Sequence, residues 1–303
     1  MNSSTNGFVN TLKTAALLAA LAALLVFVGG LMAGRGGMVT ALLFAIALNG
    51  FMYWKSDSLA LRANGARELG LGEAPRLRQI VTDLSARAGI PVPRLYLIER
   101  PEPNGFATGR DPEHAALAVT TGILQLMDER ELMGVLAHEL SHVKNRDTLI
   151  GTIAATIAGA ISFVAQIAQF ELLFGAGGTQ DRRNPLAALL TIVLAPIAAV
   201  IIQLAVSRGR EYSADASGAG LTGDPEGLAR ALEELDTATQ KLGVLARLRG
   251  RGPGQAPAPS PAFAHLYIVS PLTGADLGGL FSTHPPIASR VARLRAMRLQ
   301  PAA

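Results

Sequence analysis

The residues most able to do chemistry lie at positions 138–142, which read His138-Glu139-Leu140-Ser141-His142. Two histidines four positions apart lie on one face of a helix, so both rings can reach one metal ion. The glutamate between them can accept a proton from a water molecule that the metal activates. This motif predicts metal-assisted hydrolysis. The alternative is a pair of packed or solvated histidines whose spacing has no importance.

A catalytic zinc site needs a third protein ligand, and residues 207–215 offer a candidate. If this stretch is helical, Glu211 and Asp215 lie on the same face. Glu211 can then bind the metal while Asp215 accepts a ring N–H of a ligand histidine. The alternative is an exposed helix start in which Glu211 pairs with Arg208. Because the chain contains no cysteine, the ligands must be His, Asp or Glu, a set that favours one Zn²⁺ ion per subunit.

The elements that must position these residues include four uncharged stretches, at 14–34, 36–54, 148–170 and 184–206. About 20 helical residues cross the core of a bilayer, so each stretch predicts a transmembrane helix. The fourth contains Pro196 and Gln203, and its alternative is a buried or re-entrant helix. The first has an apolar run that is long for a cleaved signal peptide, and a second span follows it, so we expect a retained anchor.

The predicted spans return His142 and Glu211 to the same side of the membrane, because two spans separate them. The basic residues near the span ends on that side are Lys13, Lys55, Arg62, Arg67, Lys144, Arg146, Arg208 and Arg210, and those on the opposite side are Arg35, Arg182 and Arg183. This excess predicts that the N-terminus at 1–13 and the catalytic segments at 55–147 and 207–303 are cytoplasmic. The net charge of +4 is modest and indicates membrane orientation rather than a nucleic-acid partner.

The two catalytic segments mix helical and strand patterns. Residues 77–84 have helical apolar spacing, whereas 94–99 and 114–120 have the composition of strands. Asp128 followed by Glu131 resembles a capping box at the start of the motif helix, and the pattern allows this helix to continue unbroken into the third span. Asn145 and Asp147 end the ligand helix as capping or hydrogen-bonding groups. Residues 250–261 form a linker rich in Pro, Gly and Ala.

Together these features predict an α-helical polytopic membrane protein with a small α+β catalytic domain assembled from two separated segments. The sequence contains four short motifs: HELSH at 138–142, SRGREYSAD at 207–215, PNGFATG at 103–109 and LFSTHPP at 280–286. Together they resemble the HtpX family, a family of bacterial heat-shock membrane metalloproteases related to the CAAX prenyl proteases. The resemblance implies a gluzincin-like zincin fold in the plasma or inner membrane. It also implies an endopeptidase that acts on damaged or misfolded membrane proteins, with its active site facing the cytoplasm.

Carried over to this sequence, the resemblance implies that His138, His142 and Glu211 bind zinc and that Glu139 is the general base. Asp215 is the residue that hydrogen-bonds a ligand histidine.

The resemblance also implies two contacts with substrate. The residues of an edge strand that pairs with an extended peptide would be Asn104, Gly105, Phe106 and Ala107. The family more often has alanine where this chain has Gly105, and glycine loosens a strand. His284 matches a position that stabilises the oxyanion of the tetrahedral intermediate. Its alternative role is to cap the helix that begins at Pro285-Pro286.

Three other functions would use the same motif. A CAAX-type prenyl protease applies this chemistry to a lipidated C-terminus, but it resembles a larger chain with more spans. An intramembrane protease would bury the motif within a span, whereas charged residues lie on both sides of this one, at 129–131 and 144–147. A non-catalytic adaptor that holds unfolded clients would use zinc only structurally, and such a site has no need of a base at Glu139.

Overall fold

The fold comes from a computed structural model, which describes residues 3–153, 208–249, 268 and 285–297. The helices are α1 (Ser3–Ala63), α2 (Pro75–Ala88), α3 (Thr121–Leu126), α4 (Glu129–Lys144), α5 (Arg208–Thr222), α6 (Pro225–Arg249) and α7 (Ile287–Met297). The strands are β1 (Arg67–Glu68), β2 (Arg94–Ile98), β3 (Gly105–Thr108) and β4 (Ala116–Thr120). Most of the predicted third span, all of the fourth span, the linker at 250–261 and His284 lie outside the described residues.

Helix α1 folds back on itself at Gly34, where the backbone is left-handed with a φ of 58°, a conformation that glycine adopts at little cost. Asn49 Nδ2 donates a hydrogen bond to the carbonyl oxygen of Leu18 at 3.1 Å. In a straight helix these residues would lie about 46 Å apart, since each residue rises about 1.5 Å. The two arms of α1 therefore run side by side.

The second arm of α1 has the composition of a membrane helix. Among the described residues, one helical stretch, Gly34–Ala63, is long and apolar enough to cross a membrane, with a mean hydropathy of 1.6. Large apolar side chains are exposed along it: Met38, Val39, Leu42, Leu43, Phe44, Ile46, Phe51 and Trp54. The predicted second span, 36–54, falls within this stretch, and the division of the chain into four spans stays a prediction.

The four strands form one sheet in the order β1-β2-β4-β3. β2 and β4 are parallel, with Arg94 opposite Ala116, whereas β1 and β3 are antiparallel to their neighbours. The strand predicted at 94–99 is confirmed as β2. The strand predicted at 114–120 is confirmed as β4 from Ala116 onwards, whereas His114 ends a short 3-10 helix, Pro112–His114. Within the described residues, β3 lies at the edge of the sheet.

The two faces of the sheet pack against different parts of the chain. Leu95, Leu117 and Val119 join α2 and α4 in the main hydrophobic core. Phe106 points to the other face, where it clusters with Leu61 at the end of α1. The apolar helix thus ends directly against the sheet that carries β3, and burial of apolar surface holds the two together.

Helix α4 begins with the predicted capping box and ends before the predicted third span. The Asp128 side chain accepts the N–H of Glu131, and the Glu131 side chain accepts the N–H of Asp128. The helix ends at Lys144, and Arg146 has a left-handed φ of 57°. Helical structure resumes at residue 147. The expectation of an unbroken helix is therefore wrong, because the left-handed residue interrupts the helical path.

Helical residues 147–153 are attached to the end of β3. Thr148 Oγ1 donates to the carbonyl oxygen of Gly109 at 2.9 Å. The hydroxyls of Thr108 and Thr152 share a hydrogen bond of 2.9 Å. These buried polar contacts hold the chain that leaves the motif against the edge strand.

Two glycines let the helices around the motif approach closely. A Cβ at Gly218 of α5 would lie 2.9 Å from the backbone nitrogen of His138. A Cβ at Gly134 of α4 would lie 2.7 Å from the nitrogen of Leu228 in α6. Because these neighbours are backbone atoms that cannot turn aside, only glycine fits without a shift of the helices. The close contact at Gly218 brings the acidic side chains of α5 to the motif.

Candidate metal centre

Three side chains from two helices meet beside the sheet, and they are the predicted ligands His138, His142 and Glu211. One donor atom of each lies within 4.8 Å of the other two. The Nε2 atoms of His138 and His142 are 3.2 Å apart, and they lie 3.7 Å and 3.6 Å from the Glu211 carboxylate oxygens. Ligands about 2.0–2.1 Å from one tetrahedral ion would be about 3.3 Å apart, so the donor set fits a single zinc ion.

Each histidine has its own aspartate. His138 Nδ1 lies 2.9 Å from Asp215 Oδ1, and His142 Nδ1 lies 3.0 Å from Asp147 Oδ2. A proton on each Nδ1, donated to the carboxylate, leaves a lone pair on Nε2 that faces the shared centre. Asp215 thus has the contact predicted for it, and Asp147 is a hydrogen-bonding group rather than only the end of a helix.

The break after α4 explains how Asp147 reaches His142. Five positions along a continuous helix correspond to a rotation of about 140° beyond one full turn, so the two side chains would lie on different faces. The left-handed backbone at Arg146, with a φ of 57°, turns the chain and brings Asp147 back to the ring. A residue that favours right-handed backbone is thus held in an unfavourable conformation beside the metal centre.

Glu139 lies between α4 and the edge strand. Its Oε2 accepts a hydrogen bond from the N–H of Ala107 at 2.8 Å, and only 3% of the residue is exposed. The proposed base is therefore buried beside the strand on which a peptide is predicted to bind.

The residues predicted to form this edge strand are Asn104, Gly105, Phe106 and Ala107. Phe106 pairs with β4, and its side chain is buried on the face covered by α1. The carbonyl oxygen of Gly105 accepts the N–H of Ile268 at 3.3 Å, so this group points away from β4. The strand therefore offers main-chain groups, rather than large side chains, to whatever lies along its edge.

The charges around the two histidines differ. Burial acts to raise the pKa of Asp215, but hydrogen bonds from Arg290 and His138 lower it to about 2. Burial lowers the pKa of His138. Burial acts in the same direction on His142, but Asp147 and other nearby carboxylates raise its pKa to about 9. Negative charge around His142 therefore favours a cation at this position, whether a proton or a metal ion.

Comparison with known proteins identifies the class of this centre. Residues 72–298 match the model of peptidase family M48. The chain belongs to peptidase family M48. A relative named protease HtpX homolog, from Desulfatibacillum aliphaticivorans, is 50% identical over 294 residues that cover 96% of this chain and 91% of that protein. A second, from Ralstonia pickettii (strain 12J), is 48% identical over 289 residues that cover 95% of this chain and 96% of that protein.

The family match and these relatives confirm the resemblance to the HtpX family that the motifs indicated. The chain is therefore a metalloprotease. The matched region contains the HExxH helix, Glu211 and α7. Among solved structures, the crystal structure of S. mikatae Ste24p has a TM-score of 0.49 and 17% identity, and the match covers 96% of this chain and 67% of that chain.

The M48 centre contains one residue that the sequence did not indicate, Arg290 of α7, which contacts Asp215 and His138. The sequence does contain a pattern that could have indicated Arg290. Arg290 lies three residues after Ile287 and four before Leu294, on the apolar face of the helix, where an unpaired charge would be costly. His284 lies outside the described residues, so its role at the oxyanion stays a prediction.

Proposed function

We propose that this metalloprotease is a gluzincin-like zinc endopeptidase whose single ion is held by His138, His142 and Glu211. The observation that carries the proposal is the convergence of their donor atoms within 4.8 Å. Two imidazoles and one carboxylate are the protein ligands of catalytic zinc in thermolysin-type enzymes, which keep a fourth position open.

Zinc in this site would polarise the scissile carbonyl and lower the pKa of water. Glu139 is the group that accepts the proton of the attacking water and passes it to the leaving amine. Its position on the ligand helix, one residue after His138, and its hydrogen bond to Ala107 support this role. Asp215 and Asp147 hold the two imidazoles in the orientation that ligation requires.

The peptide substrate is proposed to bind along β3 as an added strand. The carbonyl of Gly105 and the N–H of Ala107 support this, because both point away from β4. They contact Ile268 and Glu139 rather than another strand of the sheet. Main-chain pairing is largely independent of substrate sequence, which suits an enzyme for damaged or misfolded proteins. His284 is proposed to stabilise the oxyanion, on the strength of the LFSTHPP motif alone.

The enzyme is proposed to be a multi-pass protein of the plasma or inner membrane, with its active site facing the cytoplasm and misfolded membrane proteins as substrates. Its partners are then those proteins and the lipid bilayer, with no nucleic acid. The apolar stretch Gly34–Ala63 and the packing of the end of α1 against the sheet support a catalytic unit held close to the bilayer.

The decisive experiment is Glu139→Gln in the full-length protein, purified in detergent, with zinc content and casein cleavage measured together. We expect the variant to keep one zinc per chain, because none of the ligands changes, and to lose cleavage by about 10²–10⁴-fold.

The matched control is Glu129→Gln, the same substitution on the same helix. Glu129 is exposed and pairs with Arg76, so this variant should cleave like the wild type. Cleavage retained by the Glu139 variant, or no zinc in the wild type, would overturn the proposal.

A further inference from the structure

Arg290 of α7 is a fully buried cation. It is 0% exposed and is the largest of the completely buried side chains in the described residues. Its Nε donates to Asp215 Oδ2 at 2.9 Å and its Nη2 donates to Asp215 Oδ1 at 2.7 Å. Two parallel charge-assisted hydrogen bonds from one planar group hold a carboxylate in a single orientation.

Arg290 holds both oxygens of Asp215, and one of them also contacts a predicted metal ligand. Asp215 Oδ1 lies 2.9 Å from His138 Nδ1, so Asp215 connects the guanidinium to the imidazole. Arg290 Nη1 also lies 3.9 Å from Glu211 Oε2, close to the predicted third ligand. Arg290 therefore adjoins both the orienting carboxylate and the ligand carboxylate.

We propose that Arg290 is a positioning residue of the metal centre, which acts through Asp215 to set the ring orientation of His138. The inference rests on the proposed zinc function. Without the guanidinium, the buried Asp215 carboxylate would lack the two donors that orient it and the positive charge that balances it. It could then rotate away from His138 Nδ1, which would weaken the ring as a ligand.

Helix α7 has other attachments besides Arg290. The helix is already held by Val291 and Leu294 in the core. At the surface, Arg295 forms ion pairs with Glu226 and Glu233 of α6 at 3.1 Å and 2.9 Å. Arg295 is thus a half-exposed cation on the same helix that pairs with carboxylates away from the metal centre, and it provides a matched control.

The test compares Arg290→Met with Arg295→Met in the full-length protein in detergent. The zinc dissociation constant is measured by chelator competition, and the visible absorption spectrum of the cobalt-loaded protein reports ligand geometry. We expect Arg290→Met to weaken zinc binding about 10–100-fold and to change the cobalt spectrum. Arg295→Met should leave both unchanged. Wild-type affinity and spectrum in a folded Arg290→Met variant would overturn the inference.

Arg290→Lys decides the question if the methionine variant does not fold. Lysine keeps the charge but cannot donate two parallel hydrogen bonds to one carboxylate, so we expect weaker zinc binding than in the wild type. Full wild-type affinity in Arg290→Lys would show that the bidentate contact is unnecessary and would overturn the inference.

A double variant tests whether Arg290 acts through Asp215. If it does, Arg290→Met should add little to the loss of zinc affinity in an Asp215→Asn background, because the route is already broken. If the losses of zinc affinity in the two single variants add up in the double variant, Arg290 does not act through Asp215. Failure of the zinc proposal itself would look different, since the wild type would then bind no zinc.

Discussion

The two histidines of α4 are held by different parts of the molecule, although each has an aspartate at Nδ1. His138 is 1% exposed, and its aspartate comes from α5 and is gripped by Arg290 of α7. His142 is 15% exposed, and its aspartate follows five residues later in the same chain segment. One half of the centre thus depends on packing between distant segments, and the other depends on a local turn.

This difference predicts how each half responds to change. On the His138 side the charges are sealed from water, so removing one partner leaves the others buried and unsatisfied. On the His142 side the turn stores strain at Arg146, but the ring is 15% exposed, so solvent can partly replace a lost contact. We therefore expect larger effects on the His138 side, and four substitutions, with a fifth as a control, test this.

Asp215→Asn should have the largest effect. Loss of the carboxylate leaves Arg290 buried without its hydrogen-bonded partner, and the remaining carboxylate, Glu211, lies 3.9 Å away. This should lower the unfolding free energy of the metal-free protein by about 3–5 kcal/mol. Zinc affinity should also fall about 10–100-fold. Chemical denaturation and chelator competition measure the two quantities.

Asp147→Asn is the counterpart on the His142 side. We expect zinc affinity to fall about tenfold and the unfolding free energy to fall by about 1 kcal/mol, because His142 is more exposed than His138 and solvent can partly replace the lost contact. Equal losses of stability in the two aspartate variants would show that the two halves are not held differently.

Gly218→Ala should have an intermediate effect on stability and zinc binding, through the His138 side of the centre. Its Cβ would lie 2.9 Å from the backbone nitrogen of His138, so α5 must shift and carry Glu211 and Asp215 with it. We expect a loss of about 1–3 kcal/mol and weaker zinc binding.

Gly220→Ala is the matched control on α5, because nothing lies within 4 Å of its Cβ. Alanine should be neutral there or stabilise the helix by about 0.5–1 kcal/mol. If Gly218→Ala unfolds at the same temperature as this control, α4 and α5 are not packed as closely as the structure indicates.

Arg146→Gly should have the smallest effect, and it should be favourable or neutral. Glycine adopts the left-handed backbone without the cost of about 1–2 kcal/mol that a larger residue carries, but it also gains freedom in the unfolded chain. We expect at most about 1 kcal/mol of stabilisation and unchanged zinc affinity. A marked loss of zinc binding would show that the arginine side chain, and not the turn, is what the site needs.

Much of the site could be predicted because its signals are local. The HExxH spacing places two rings on one helix face, and the four-residue spacing of Glu211 and Asp215 does the same for α5. The capping box at Asp128 and the strands β2 and β4 follow equally from short patterns. The predicted course of α4 failed at Arg146, because arginine has no preference for the left-handed backbone that this position adopts.

The sequence by itself determined the chemistry: a metal held by histidines and carboxylates, a base beside them, and apolar helices nearby. Only the tertiary structure decided which carboxylate faces which ring, and that Arg290 closes the buried network. Spacing along one helix specifies which side chains share a face, because the helix has a fixed period. It does not specify which distant segment a buried charge will meet, since that depends on how closely α5 and α7 pack against α4.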